Sequence, residues 1–306
     1  MKIVVTGATG FVGSHIVPLL RERGDEVTVL SRDAEKAKTK LGDVTAITAD
    51  LETPGPWADS LAGTDAIIHL AGQSIGAKRW DAREKQVIRD SRVEATRTLV
   101  EMIEKLPAEQ RPKALVSASG GDFYPFALDQ DEFDDDEVTE ADPPGDSYLA
   151  RVCRDWEAEA FAAKPLGLRV VTMRSGIVLG EGGGAVDRMK TPFKLFAGGR
   201  IGSGRQWFAW IHVDDAAAAY VNAVHDERYA GPINLVRDSV RNAELASALG
   251  KAMSRPSWLP VPAFAIKLAA GELAEYILKG RRIVPKRLRE LGFVWKHTDL
   301  VEALRG

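Results

Sequence analysis

The sequence predicts an α/β fold: a doubly wound parallel sheet with a smaller C-terminal lobe. Three observations point there. Ile3, Val4 and Val5 form a short apolar run that passes through a glycine-rich turn into a stretch of helical period. Five more such runs follow, at 26–30, 44–49, 66–70, 114–119 and 170–176, with intervals between them that suit crossover helices. The chain has 306 residues, 45% of them hydrophobic, enough for one large α/β unit with a smaller partner.

Ile3, Val4 and Val5 read as a strand buried on both faces. Gly7, Gly10 and Gly13 follow at three-residue spacing, and Ile16, Val17, Leu19 and Leu20 then recur at helical period. Glycines at a strand-to-helix junction allow a tight turn and let backbone approach a pyrophosphate, whose charge is drawn to the free N–H groups of the helix. The junction carries the signal, because glycine-rich turns alone are common. The second run ends at Ser31-Arg32-Asp33. An acidic residue there holds a ribose 2′-hydroxyl, whereas an arginine accommodates a 2′-phosphate. Ser31 and Arg32 therefore point to NADP(H), the alternative being a solvated arginine beside Asp33. His69, inside the fourth run, reads as structural.

Thr6-Gly7-Ala8-Thr9-Gly10-Phe11-Val12-Gly13 resembles the TGxxGFxG turn of the extended short-chain dehydrogenase/reductases, a family of epimerases, dehydratases and reductases built on a Rossmann-type domain. The resemblance runs the length of the chain, strongest at 6–13, 91–93, 154–157, 210–215 and 256–293. It is closest to an epimerase-family, cell-division-inhibitor-like subfamily with its own small C-terminal domain. It implies cofactor contacts at Gly7, Thr9, Gly10, Phe11, Val12 and Gly13, and at Asp50 and Leu51 near the adenine. Leu70, Ala71, Gly72 and Ser117 are implied beside the cofactor, with Arg174, Gly176 and Ile177 along the nicotinamide. Ser119 is implied to hold the substrate's reacting oxygen, at the strand end where such sheets place their chemistry. Arg205 is implied to hold a diphosphate, and Arg79 and Arg92 are further substrate candidates. Lys85, Arg89 and Arg92 recur at helical spacing on a helix expected to run through 91–103, as an anion clamp or a solvated face. The expected domains are 1–175, with 205–228 returning to it, and a substrate lobe from 176–204 and 229–306.

Members of the wider family use Tyr-x-x-x-Lys, in which the lysine charge lowers the tyrosine's pKa. Here Tyr148 is followed four residues on by Val152. If Glu157 sets the register instead, Leu149 and Cys153 take the two positions. Arg151, three residues from Tyr148, is expected to share its helical face and lower the tyrosine's pKa, although it cannot shuttle a proton itself. Ser119 and Tyr148 are the catalytic candidates. The expected activity is hydride transfer at a carbonyl or carbinol carbon of an unidentified small molecule; a non-catalytic NADP(H) sensor and a nucleotide-sugar epimerase are the alternatives.

His212 precedes Asp214 and Asp215, but no further ligand is suitably spaced, so no metal is expected and the carboxylates read as a helix N-cap. The 41 basic and 44 acidic residues, with no basic stretch interleaved with aromatics, argue against nucleic acid. No apolar run approaches spanning length, so no membrane partner is expected. The first strand begins too early to leave room for a signal peptide. Cys153 is the single cysteine, which suits a reducing compartment; the cytoplasm is expected, and a homodimer is kept open. Residues 129–142, rich in Asp and Glu, read as a solvated loop.

Overall fold

In the computed structural model, which describes residues 1–126, 135–184 and 186–305, strand β1 (Lys2–Thr6) turns at the glycines into helix α1 (Phe11–Glu22). The chain then alternates through β2 (Glu26–Ser31), α2 (Ala34–Leu41), β3 (Thr45–Thr48) and β4 (Ala66–His69). Two helices follow, α3 (Ala82–Asp90) and α4 (Val93–Glu104), where the sequence suggested one. The break falls at Ser91, whose hydroxyl donates to the Ile88 carbonyl and accepts the Gln73 N–H. β5 (Ala114–Gly120), the short β6 (Glu137–Val138), α5 (Tyr148–Phe161) and β7 (Arg169–Ser175) complete the first half.

β8 (Ile177–Leu179), α6 (Val186–Lys194), β9 (Trp207–His212) and α7 (Val213–His225) come next. β10 (Gly231–Leu235) then pairs in parallel with β7, closing a seven-stranded parallel sheet ordered β10-β7-β5-β4-β1-β2-β3. Residues 231–235 thus belong to the main sheet, not to the lobe expected from 229 onward. Pro232 tolerates this because β10 is an edge strand. The strand order reverses between β1 and β4, where open α/β sheets bind ligands.

Val4, Val5, Ile67 and Ile68 are fully buried, as expected for strands covered on both faces. One core packs them against α1 and α7 and reaches Leu288 and Phe293 near the C-terminus; the other packs them against α4 and α5. The lobe is built on a second sheet, β8-β9-β11 with β11 (Asp238–Arg241), covered by α6, α8 (Asn242–Met253) and the C-terminal residues Leu300–Arg305. Helices α9 (Ala263–Ala270) and α10 (Ala274–Leu278) follow, and β12 (Arg282–Ile283) pairs with β6.

Residues 129–134 of the acidic stretch lie outside the described residues. The rest of it is anchored: Asp135 pairs with Arg241, and Glu140 Oε1 accepts the backbone N–H groups of Asn234 and Arg287. No helix of the described residues is long and apolar enough to cross a membrane.

Candidate active site

The glycine turn is shaped by contact. Gly7 sits at φ +67°, and a Cβ there would lie 2.7 Å from the carbonyl of Leu70; one on Gly13 would lie 2.6 Å from the Ala8 backbone. Gly7 therefore lets β1 and the end of β4 close on each other, and Gly13 seats α1 against the turn. Beside them runs a crevice of about 250 Å³. Gly7, Thr9 and Gly10 line it at the turn, Ser31 and Arg32 at the end of β2, and Asp50 and Leu51 after β3. Leu70, Ala71 and Gly72 form its inner wall. Sequence reasoning missed Glu52 in this wall and Lys40, whose ammonium donates to the Thr9 carbonyl at 2.7 Å. Both lie on elements whose approach to the turn is set by packing.

Leu70 and Gly72 also line a larger cleft of about 550 Å³ over the C-terminal ends of β5 and β7, so crevice and cleft join. Phe11, Val12, Arg92, Ser119, Gly176 and Ile177 all face it. The α5 face turned to it is Leu149, Val152, Cys153 and Trp156, so the register set by Glu157 is the one the fold adopts. Leu149 and Cys153 thus hold the places of the tyrosine and lysine. Burial, with Asp122 and Glu157 nearby, pushes the Cys153 thiol up to about 12, keeping it protonated.

Tyr148 is not in this cleft. Its hydroxyl donates to the Lys85 carbonyl, and its ring packs edge-on to Trp80. Burial pushes its pKa up to about 12, against the opposing charge of Arg92. Arg151 is turned to the Asp146 carbonyl and does nothing to reverse this.

Four other expectations change. Arg174 is 4% exposed and absent from the cleft wall: its guanidinium grips both Glu157 oxygens at 2.8 Å and donates to Tyr124 Oη at 2.9 Å. Ser117 is fully buried in β5. Arg79 is exposed and donates to the Leu268 carbonyl, and Arg205 is exposed on the lobe; neither lines the crevice or the cleft. The basic face of Lys85, Arg89 and Arg92 disperses. Lys85 pairs with Glu272, Arg89 pairs with Glu94 at 2.9 Å, and Arg92 alone turns into the cleft over the Trp156 ring.

Ser119 is 4% exposed and donates to Glu157 at 2.7 Å, which ties the serine to the Arg174 network. In the cleft, sequence reasoning also missed a titratable group, Asp122, three residues beyond Ser119. It lines the cleft, with Oδ2 3.7 Å from where a Cβ on Gly120 would stand and Cys153 Sγ 3.4 Å from the same point. Burial pushes its pKa up to about 6, opposed by the charge of Arg92. A carboxyl in that range exchanges protons readily at neutral pH. His69 is structural: fully buried, between the hydroxyls of Thr6 and Thr96 at 2.8 and 3.0 Å, with burial lowering it to about 4.

Asp214 and Asp215 lie in the first turn of α7, and the N-cap is His212, whose ring accepts the Asp214 N–H at 3.2 Å. The expectation that no third ligand is near fails as well, because the fold brings His297 to within 3.2 Å of Asp214.

The family model for the NAD dependent epimerase/dehydratase family matches residues 3–235, and that for a domain of unknown function, DUF1731, matches 261–306. The chain is 41% identical to the chloroplastic "Epimerase family protein SDR39U1 homolog" of Arabidopsis thaliana, over all of this chain and 86% of that protein. It is 36% identical to "Epimerase family protein YfhF" of Bacillus subtilis, over 99% and 97%. Among solved structures it superposes on the human epimerase family protein SDR39U1 with NADPH, with TM-score 0.84 and 33% identity, over all of this chain and 98% of that one. A Thermotoga maritima UDP-glucose 4-epimerase with UDP-glucose, 20% identical over all of this chain and 96% of that one, shares the fold at TM-score 0.78.

Proposed function

The chain belongs to the NAD dependent epimerase/dehydratase family, and from that premise we propose that it binds NADP(H) and transfers a hydride at a carbonyl or carbinol carbon of a small molecule held in the cleft. The observation that carries the reading is the junction of crevice and cleft at Leu70 and Gly72, beside the strand ends. The residues fit the cofactor: the Gly7 turn leaves room only for backbone, and α1 offers its free N–H groups to a pyrophosphate. Ser31 and Arg32 would hold a 2′-phosphate, Asp50 and Leu51 the adenosine, and Phe11, Val12, Gly176 and Ile177 the nicotinamide end. The NADPH in the human relative's structure supports this assignment.

When bound, the nicotinamide supplies or accepts the hydride. The chain's own task is the proton. In the reducing direction the Asp122 carboxyl protonates the substrate oxygen, and its carboxylate is then held beside Arg92 until solvent returns the proton. Arg92 steadies negative charge on the substrate. Ser119, fixed by Glu157, offers its oxygen at the cleft wall. The displacement of Tyr148 favours a second reading, an NADP(H)-binding sensor without turnover.

Untargeted mass spectrometry on a small-molecule extract incubated with the protein and NADP(H) separates the two. A metabolite altered by the unmodified protein but not by Asp122→Asn establishes the enzyme. Tight NADPH binding without any altered metabolite establishes the sensor.

A further inference from the structure

His212 and the carboxylates after it take no part in the crevice or the cleft. His212 ends β9, Asp214 stands in the first turn of α7, and His297 arrives from the loop before the last helix. That loop is fixed by Asp215, which accepts the N–H groups of Lys296 and His297 at 2.7 and 3.0 Å. The two imidazoles stack with centroids 3.6 Å apart.

Asp214 Oδ2 lies 3.2 Å from His297 Nε2 and 3.8 Å from His212 Nδ1, and the three ligand atoms fall within 4.8 Å of one another. Tetrahedral zinc, with bonds of about 2.0–2.2 Å, sets its ligand atoms about 3.4 Å apart. Both carboxylate–imidazole spacings lie within about 0.4 Å of that value, and the partly exposed His297 ring must swing away from the stack for both imidazoles to reach one ion. His15 Nδ1 lies 3.1 Å from the other carboxylate oxygen, the position of a partner that orients a ligating carboxylate. We propose that His212, Asp214 and His297 form a binding site for a divalent transition-metal ion, zinc foremost, with His15 positioning the carboxylate.

Lys296 Nζ, 4.0 Å from Asp214 Oδ2, is 76% exposed and free to swing into solvent when the ion enters. Ligation through His212 Nδ1 replaces its contact with the Asp214 N–H, a bond already long at 3.2 Å. Asp214 is 41% exposed, leaving the fourth position to water. The ion would join α1, the start of α7 and the C-terminal loop. His15 also meets Phe11 edge-on at 5.7 Å, linking the site to the cleft wall.

The full chain, stripped with a chelator and returned to chelator-free buffer, is titrated with Zn²⁺ by calorimetry and with Co²⁺ by visible absorption. One equivalent of Zn²⁺ should bind and raise the melting midpoint, and Co²⁺ should give the intense bands of four-coordination. His212 caps a helix, so the partly exposed His297 is the deciding variant. His297→Ala should weaken Zn²⁺ by about tenfold or more and abolish the thermal shift, and His15→Ala should weaken it by about tenfold. His225→Ala, at a histidine paired elsewhere with Asp25, should bind as the unmodified chain does. Absence of one-equivalent binding, or His297→Ala binding as tightly as the unmodified chain, would overturn the proposal.

Discussion

Replacing Arg174 by methionine should destabilise the fold and leave cofactor affinity almost unchanged. The Arg174 and Glu157 side chains are each 5% exposed, and the guanidinium holds both carboxylate oxygens. Removing it leaves a buried carboxylate to which the Ser119 hydroxyl still donates, and orphans the bond to Tyr124 Oη, itself tied to Asn234 at 2.6 Å. Breaking such a pair from one side costs about 3–5 kcal/mol. For a chain of 306 residues that is a fall of roughly 5–8 °C in melting midpoint. The double variant Arg174→Met with Glu157→Leu replaces the pair by apolar groups and should recover most of the loss, because buried ion pairs are worth little against well-packed hydrophobic residues. Urea denaturation of the two single variants and the double variant measures the coupling, and NADPH titration at a temperature where all remain folded measures affinity. A loss below about 1 kcal/mol would refute the buried-pair reasoning. A tenfold loss of NADPH affinity in the folded single variant would return Arg174 to the cofactor.

The remaining predictions concern the cleft and the turn. Folding raises the Asp122 pKa to about 6 from an ordinary 3.8, so the folded chain holds the proton more tightly and stability falls as pH rises through 6. Asp122→Asn should therefore be more stable than the unmodified chain at pH 8, by on the order of 3 kcal/mol, with the difference shrinking at pH 5 while turnover is lost; denaturant midpoints at the two pH values check this, and an offset independent of pH would contradict it. Tyr148→Phe should cost about 1 kcal/mol of stability and leave turnover within about twofold, the steady-state rate being the check; a tenfold fall would put its hydroxyl back in the chemistry. Gly7→Ala should weaken NADPH binding by tenfold or more, since its Cβ meets backbone at 2.7 Å. Gly24→Ala, at positive φ in open space, should cost only about 1 kcal/mol of backbone strain and leave calorimetric affinity intact.

The parallel sheet was legible because its strands are continuous apolar runs, and the crevice because its residues sit at fixed places after β1, β2, β3 and β4. What escaped was set by packing across the sheet. β10 read as the start of the lobe because it comes late in the chain, yet its pairing with β7 places it in the main sheet. Arg174 reads from sequence as lying along the nicotinamide; Glu157, on the helix crossing behind it, draws its guanidinium toward itself. Asp122 carried no motif, and its significance comes from the cleft that closes around it. His297 is distant in sequence from His212, and the Asp215 contact that brings it back is a backbone one.

The central claim is that the crevice takes NADP(H), and parallel calorimetric titrations of NADPH and NADH test it most directly. The charge-assisted contact from Arg32 to a 2′-phosphate is worth roughly 1.5–3 kcal/mol, so NADPH should bind about ten- to a hundredfold tighter than NADH, and Arg32→Ala should erase most of the difference. Equal affinities in the unmodified chain, or no binding of either nucleotide, would contradict the account.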